Sequence, residues 1–359
     1  MNYATLKTEL LCLGAKAQTR RHLRKTGAGP AGGSYFVLPN GSLVQIPVVG
    51  HFVQNSPFSI TQSENNALYL SKNDEKVCEI QGVPTPQFYG MKTSDGIPMW
   101  KIALIHGIDC LATTVDQTCV HWRHNLQCDF CGIELSLKHQ RSIKRKSPEQ
   151  LIEVIQTARE ENRANHITLT IGTQAGADRG ANILSETTRR IKEEIDIPIH
   201  AQVEPADEKY LGKLKDSGVD TLGIHIETCD PDVFKKICPG KALLDFKYYE
   251  KMWGHAVAIF GKNQVSSFVI VGLGESDESI LNGTKWMASI GVIPFVVPLR
   301  PIPETPLENA IPPSPERMVY LYEEVGKILK ENSLNPNKNK AGCVRCKGCS
   351  PVDEFVIGF

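Results

Sequence analysis

Apolar positions follow one rhythm in the first hundred residues and another in the two hundred that follow. Residues 1–26 set Leu6, Leu10 and Leu13 at roughly helical spacing, with basic positions between. Residues 27–33, Gly-rich, read as a loop. Residues 35–47 read as a hairpin around Asn40-Gly41, a type I′ turn signal. A second hairpin is expected around Ser94-Asp95-Gly96, between 85–89 and 99–104. Residues 1–105 are therefore expected to form a small β-rich N-terminal region.

From about residue 110, short β-branched runs alternate with amphipathic stretches. Strands are predicted at 111–117, 166–171, 197–203, 221–227, 264–271 and 292–298. Helices are predicted over 148–162, 184–195, 208–217, 245–260 and 276–290. Ser147 is placed to cap the first helix, with Pro148 in its first turn, and Gly218 to end the third. Alternating strand and helix implies a parallel sheet. Six units fall short of the eight of a closed barrel. The expected fold class is therefore α/β: a partial (β/α)6 TIM-type barrel over 106–310, with its site at the C-terminal ends of the strands. Residues 311–359 are expected to add a helix (316–332) and a cysteine-rich tail.

Composition narrows the function. The 359 residues are 41% hydrophobic, ample for a large core, and 40 Lys+Arg balance 40 Asp+Glu. That balance argues against nucleic acid or an acidic membrane as partner. Residues 1–25 hold no signal-like apolar region, and no run spans a bilayer. A cytoplasmic protein is expected. Eleven cysteines, six of them in two tight groups, then point to metal or iron–sulfur binding rather than disulfides.

The first group, Cys119-x8-Cys128-x2-Cys131, directly follows the first predicted barrel strand. Three thiolates suit a [4Fe–4S] cluster with one iron open; buried free thiols or zinc are the plainer readings. Phe130 is an aromatic beside the last thiol. Gln202 and Glu204 share one strand face by the period of two, and so do His225 and Glu227; turned inward, they would line a ligand site. Turned outward, they are caps. Arg300 could meet a carboxylate bidentately or pair with a surface acid. His121 and His124, inside the long cysteine gap, are either solvated or hydrogen-bonded near the thiols. The Gly-rich 27–33 loop lacks the Gly-Lys-Ser/Thr ending of a phosphate loop. The second group, Cys343-x2-Cys346-x2-Cys349, suits either a second iron–sulfur cluster or zinc. Its fourth position would be open or filled by Cys110, Ser350 or another residue. Cys12, Cys78, Cys229 and Cys238 have no partner at ligand spacing.

These motifs in this order resemble the radical S-adenosylmethionine (SAM) superfamily. Cys128-Asp129-Phe130-Cys131 keeps the second half of its C-x3-C-x2-C motif, while the first gap is widened. Ile171-Gly172-Thr173 stands where many members carry Gly-Gly-Glu for the SAM amino group; Gly172 matches, and Thr173 replaces the acid. Glu227 stands where members contact the SAM ribose. Gly272 and Gly274 resemble the fifth-strand glycine motif beside adenine, and residues 298–306 resemble the sixth-strand exit. A narrower resemblance, to the radical SAM protein of bacterial nitrilase-linked gene clusters, rests on Cys110-Leu-Ala-Thr-Thr-Val, Asp178-Arg-Gly, Ala201-Gln-Val-Glu-Pro205, Pro239-Gly-Lys241, Pro294-Phe-Val-Val-Pro298 and the tail cysteines.

The resemblance implies a [4Fe–4S] cluster on Cys119, Cys128 and Cys131. It implies SAM held among Phe130, Gly172, Thr173, Gln202, Glu204, His225, Glu227, Gly272, Gly274 and Arg300. A second Fe–S cluster on Cys343, Cys346 and Cys349 is expected beside it. The implied activity is reductive SAM cleavage and hydrogen abstraction from a small, nitrogen-containing metabolite, with a flavodoxin- or ferredoxin-type reductant. The alternatives are a sulfur-inserting enzyme of the biotin or lipoyl synthase kind, a zinc-stabilised barrel without catalysis, and a degenerate partner subunit.

Overall fold

The computed structural model describes residues 1–17 and 33–356. The first helix, Tyr3–Leu13, is opened by the Asn2 carboxamide, which accepts the Ala4 and Thr5 N–H groups, and closed at Gly14. Two-stranded and longer pairings follow: β1 (Lys16–Ala17), β2 (Gly33–Val37), β3 (Leu43–Pro47), β4 (Phe58–Gln62), β5 (Leu68–Lys72) and β6 (Glu75–Gly82), in the order β1-β4-β5-β6-β2-β3. The β2–β3 hairpin forms around Asn40-Gly41 as expected, with Tyr35 opposite Gln45. Of the predicted 27–33 loop, only Gly33 lies within the described residues, and it opens β2.

The second predicted hairpin does not form. The turn is there, with the Gly96 N–H donating to Thr93 O, and one bridge joins Lys92 to Pro98. Its flanks, however, are helical turns, Gln87–Gly90 and Met99–Ile102. Helical turns bury Phe88, Tyr89, Met99 and Ile102 together against the barrel, which an exposed two-stranded ribbon would not.

The second sheet holds β7 (Leu104–His106), β8 (Cys110–Thr114), β9 (His166–Thr170), β10 (Ile199–Gln202), β11 (Thr221–Gly223), β12 (Val265–Val271) and β13 (Ile293–Pro298). Its order, β13-β12-β11-β10-β9-β8-β7, makes β8 to β13 six adjacent parallel strands, with β7 antiparallel at the edge. This is the expected partial barrel. The intervening helices start where capping chemistry sets them. Ser147 and Gln150 form a capping box on Pro148–Glu160, Asp245 caps Phe246–Phe260, and Ser276 caps Asp277–Ile290. Leu111, Ile167, Leu169, Ile199 and Leu222, on the outer face, are buried beneath the helices. β11 ends at Gly223, short of the predicted 227; only one isolated bridge, Glu227 to Val269, continues its line. Glu227 adopts φ 69°, which turns the chain out of the ladder.

Residues after β13 close the open side. Helix Pro315–Glu331 packs on β13, with Tyr322 Oη donating to Val296 O (3.2 Å). The tail then enters the barrel at the N-terminal ends of its strands. The Gly342 N–H donates to His166 Nδ1 (3.0 Å), and Thr221 Oγ1 donates to Ala341 O (3.2 Å). From the other side the Gln45 N–H of β3 donates to Gly348 O (2.7 Å), so the N-terminal sheet clasps the tail against the barrel.

Candidate metal centre and cofactor site

The C-terminal ends of β8 to β11 gather the first cysteine group. Cys119 leads into a helical turn, Val120–Arg123, that breaks up the long gap before Cys128. The Cys119 N–H donates to Glu134 Oε1 (2.9 Å), and the Val120 N–H to Thr173 O (2.7 Å). Thr173 also hydrogen-bonds the Cys119 thiol region through backbone and side chain. Gly172 lets this happen: a Cβ there would lie 2.2 Å from Thr118 O.

The gap residues are anchored to the next two barrel units. His121 is buried, and its Nε2 lies 3.2 Å from Glu204 Oε1, just beyond β10. Of the alternatives left open for His121, the hydrogen-bonded one holds. The Gly240 N–H donates to Leu126 O (3.0 Å) and the Asp129 N–H to Ile237 O (2.9 Å). Cys128 is buried and hydrogen-bonds Cys238; that bond and burial push its thiol well above the ordinary range. Cys131 is pushed up to about 12 by burial and by the neighbouring Cys128 and Cys119 thiols. Phe130, between them, is partly buried against the core.

The other predicted residues fall on the lumen or its rim. Gln202 and His225 meet across Gly223, where a Cβ would lie 2.6 Å from His225 Cε1 and 3.1 Å from Gln202 Cγ. The Phe268 N–H donates to His225 Nδ1 (3.2 Å), which leaves the ring proton on Nε2; that atom is buried with no partner among the described residues. Burial, with Lys241 nearby, holds the imidazole neutral, well below its ordinary pKa. Glu227 accepts from Lys241 Nζ (2.7 Å), which also donates to His225 O (2.9 Å). Burial is the largest influence and opposes the ammonium, but Glu227, together with Tyr249, Cys128 and Cys238, outweighs it and raises the Lys241 pKa.

Gly272 and Gly274 (φ 107° and 115°) form a turn pinned by Glu275, whose carboxylate accepts the Gly272 and Leu273 N–H groups at 2.8 Å. Arg300 faces neither a carboxylate nor solvent alone: its guanidinium donates to Gln45 O (2.8 Å) and Gln45 Oε1. Glu134, Cys238 and Gln45 carried no role in the sequence reading. Pro239-Gly240-Lys241 was legible only as part of a resemblance.

The tail cysteines lie at the opposite end of the lumen. Cys343 and Cys346 bound a helical turn. Gln202 Nε2 lies 3.7 Å from Cys343 Sγ, and Cys349 Sγ lies 3.4 Å from Gln45 Oε1. Burial, then the Cys349 thiol, pushes Cys346 up to about 12 and Cys343 higher still. The lumen-facing Gln202 thus connects the mouth to the tail.

Residues 125–286, from the cysteine gap through the fifth barrel unit, match the Radical SAM superfamily. That match covers just under half of the chain and leaves out Cys119 and the tail cysteines. It is 32% identical over 126 residues to the bacteriochlorophyllide c C-7(1)-hydroxylase of Chlorobaculum limnaeum, covering 34% of this chain and 31% of that one. It is 28% identical over 201 residues to the biotin synthase of Persephonella marina, covering 54% and 56%. A crystal structure of methylornithine synthase shares 19% identity over 64% of each chain, with a TM-score of 0.49. The chain thus spans between about a third and just over half of the curated relatives it matches.

The mouth residues fit an iron–sulfur cluster. Cys128 and Cys119 both raise the Cys131 thiol, so the three lie close enough to interact, and iron offsets the cost of ionising them. Trp122 Nε1, buried without a conventional partner, lies toward Cys131, where it would steady a thiolate. Among the described residues no three His, Cys, Asp or Glu side chains converge tightly enough for a single metal ion. A cluster, whose thiolates each bind a different iron, tolerates the wider spread.

Proposed function

We propose that the chain is a radical SAM enzyme that acts on a small, nitrogen-containing metabolite held in the barrel lumen. The observation that carries the reading is the triad at the strand C-termini above a lumen lined by polar groups. Cys119, Cys128 and Cys131 would hold the cluster. Cluster and SAM, when bound, would supply the radical chemistry of hydrogen abstraction. The chain's own residues position and enclose. Phe130 offers an apolar face, Thr173 and Glu134 fix the Cys119 backbone, and Gly172 permits the close approach of the two loops. Lys241 and Glu227 neutralise each other at the rim, so the mouth carries no stray buried charge. His225 Nε2–H and the Gln202 carboxamide are the lumen's polar groups for a bound substrate. Gln202 sits on β10 and His225, just past β11, is held by the Phe268 N–H, which keeps both in place, as orientation of a hydrogen donor requires.

The tail group would hold a second iron–sulfur cluster. An electron donor of the flavodoxin or ferredoxin type and a cytosolic setting complete the reading. Among the described residues no helix is long and apolar enough to cross a membrane. Sulfur insertion is a second reading, favoured by the likeness to biotin synthases and by tail cysteines that face the lumen.

Anaerobic reconstitution tests both, with iron, sulfide and zinc analysis and EPR of the reduced protein with and without SAM. About eight irons per chain, four for each cluster, a SAM-sensitive signal lost in Cys128→Ala, and 5′-deoxyadenosine after dithionite are expected. Zinc without iron, and no 5′-deoxyadenosine, would leave a zinc-stabilised barrel. Stoichiometric loss of sulfide during turnover would select the sulfur-inserting reading.

A further inference from the structure

We propose that Cys110, on the lumen face of β8, completes a four-thiolate site with Cys343, Cys346 and Cys349 and closes the tail cluster to outside ligands. The inference rests on the reading of the tail as a cluster site. Its geometry starts from the β7–β8 hairpin, which pairs His106 with Cys110. Gly107, the residue after His106, is where the tail arrives: a Cβ there would lie 2.8 Å from Cys346 Sγ. Gly107 also has φ 64°, so the turn and the sulfur's approach both call for glycine.

A second tie comes from the neighbouring strand. His166 sits directly opposite Cys110 in the β8–β9 register, and its Nδ1 accepts the N–H of Gly342, the residue before Cys343. Both ends of the Cys343–Cys346 turn are thus fixed to the residues that flank Cys110. The Cys110 side chain is 1% exposed, and its Sγ lies 3.4 Å from Thr168 Oγ1, on the lumen side of β9. Burial, then the Cys346 and Cys343 thiols, pushes Cys110 well above its ordinary pKa, as a thiol set among thiols should be.

Rival fourth donors are already engaged. Ser350 Oγ donates to Val296 O (2.7 Å). His166 uses Nδ1 for Gly342 and directs Nε2 at Asp109 Oδ1, 3.6 Å away and just beyond hydrogen-bond range. His200 Nδ1 lies 2.7 Å from Thr221 Oγ1. Four thiolates leave no iron open, so the tail cluster would relay electrons or brace the barrel floor, and substrate would bind elsewhere in the lumen.

The test uses the full chain carrying Cys128→Ala, which breaks the mouth triad and leaves the tail as the source of signal. The protein is reconstituted anaerobically, reduced with dithionite, and examined by EPR before and after cyanide is added as the probe ligand. The expected result is roughly four irons per chain and a signal that cyanide leaves unchanged. Adding Cys110→Ala should make the signal cyanide-sensitive or remove it. Adding Cys110→Ser, which keeps the volume and offers oxygen, should retain iron with a shifted signal, separating ligation from folding. A cyanide-sensitive signal in Cys128→Ala alone, or an unchanged signal and iron content in the Cys110 variants, would overturn the inference while leaving the tail cluster intact. No iron in Cys128→Ala, with iron in the wild type, would instead overturn the cluster reading and the inference with it.

Discussion

Gly172→Ala is a small change whose consequence can be worked from distances. The added Cβ would lie 2.2 Å from Thr118 O, 2.7 Å from Thr118 C and 3.2 Å from Cys119 N. Carbon and oxygen approach to about 3.3 Å at closest, so one loop must move by about 1 Å. All three obstacles are backbone atoms, so no side chain can swing aside. Gly172 cannot retreat freely either, because its N–H donates to Asp116 O (2.9 Å). The displacement therefore falls on the peptide that carries Cys119 and on its bond to Glu134 (2.9 Å). Overpacking of this kind costs about 1–3 kcal/mol of stability, which a 359-residue chain should survive. The larger effect is on chemistry: a shift of about 1 Å at a reacting centre costs on the order of 100-fold in rate. The assay is 5′-deoxyadenosine formation by reconstituted protein, with iron content and the urea midpoint measured on the same sample. The expected outcome is a folded variant with depleted iron, or with full iron and activity down about 100-fold. Full iron and full activity would refute the reasoning, since the mouth would then not depend on the Gly172 approach.

His121→Ala should loosen the cysteine gap and strand the buried Glu204, costing about 1–3 kcal/mol; iron retained after anaerobic desalting should fall below wild type, and equal retention would count against the anchor. Lys241→Met leaves Glu227 buried and uncompensated and should cost about 3–5 kcal/mol; Lys241→Met combined with Glu227→Gln should recover part of the loss in urea unfolding, and no recovery would show that the pair is not the cause. Acid should destabilise the fold through its buried histidines. Burial lowers His200 to about 3, His225 well below its ordinary value, and His166 in the same direction. Because these folded pKa values are depressed, the unfolded chain takes up protons first as pH falls below about 6.5, and each histidine removes up to about 1.4 kcal/mol per pH unit. The urea midpoint should drop between about pH 7.5 and about pH 5.5; a midpoint that is constant or rises on acidification would show that these rings are not held neutral.

Legibility in the sequence tracked the range of the forces involved. The six parallel strands and their helices were readable because alternating β-branched runs and signals such as Ser147 and Gly218 act within a few residues of one another. The 94–96 hairpin was misread because Phe88, Tyr89, Met99 and Ile102 are buried by distant partners, which local turn chemistry does not register. Strand β7 is three residues long, too short for any period to declare itself. The glycines after β12 looked like a bare ligand turn. Glu275 and, through its guanidinium donating to Glu275 O (3.0 Å), Arg317 show them to be a braced one. Arg300 finds Gln45 across 255 positions, and Gly342 finds His166 across 176; no spacing rule reaches so far. The mouth cysteines were found by spacing, whereas Cys238 beside Cys128 was dismissed because its neighbours in sequence are not its neighbours in space.

The widened gap between Cys119 and Cys128 bears directly on whether this is a working centre or a degenerate one. A decayed motif would lose its constraints, and its extra residues would drift to solvent. Here they carry an α-turn, a buried His121–Glu204 contact at 3.2 Å, and backbone bonds from Gly240 and Asp129 that tie the gap to the 237–240 segment. Glycine is required at 240, where a Cβ would lie 2.3 Å from His121 Nδ1. Burying an imidazole and a carboxylate costs free energy unless each satisfies the other. The pairing therefore stabilises one particular path of the gap, the path that sets Cys128 in the interior facing the mouth. The third and fourth barrel units, through Glu204 and the 237–241 segment, thus take over the positioning that a short gap would otherwise impose on the cysteines by itself. Shortening the gap to the usual spacing by deleting residues 121–125 would remove His121 and break that support, so this deletion, made to restore the common motif, should weaken iron binding rather than improve it.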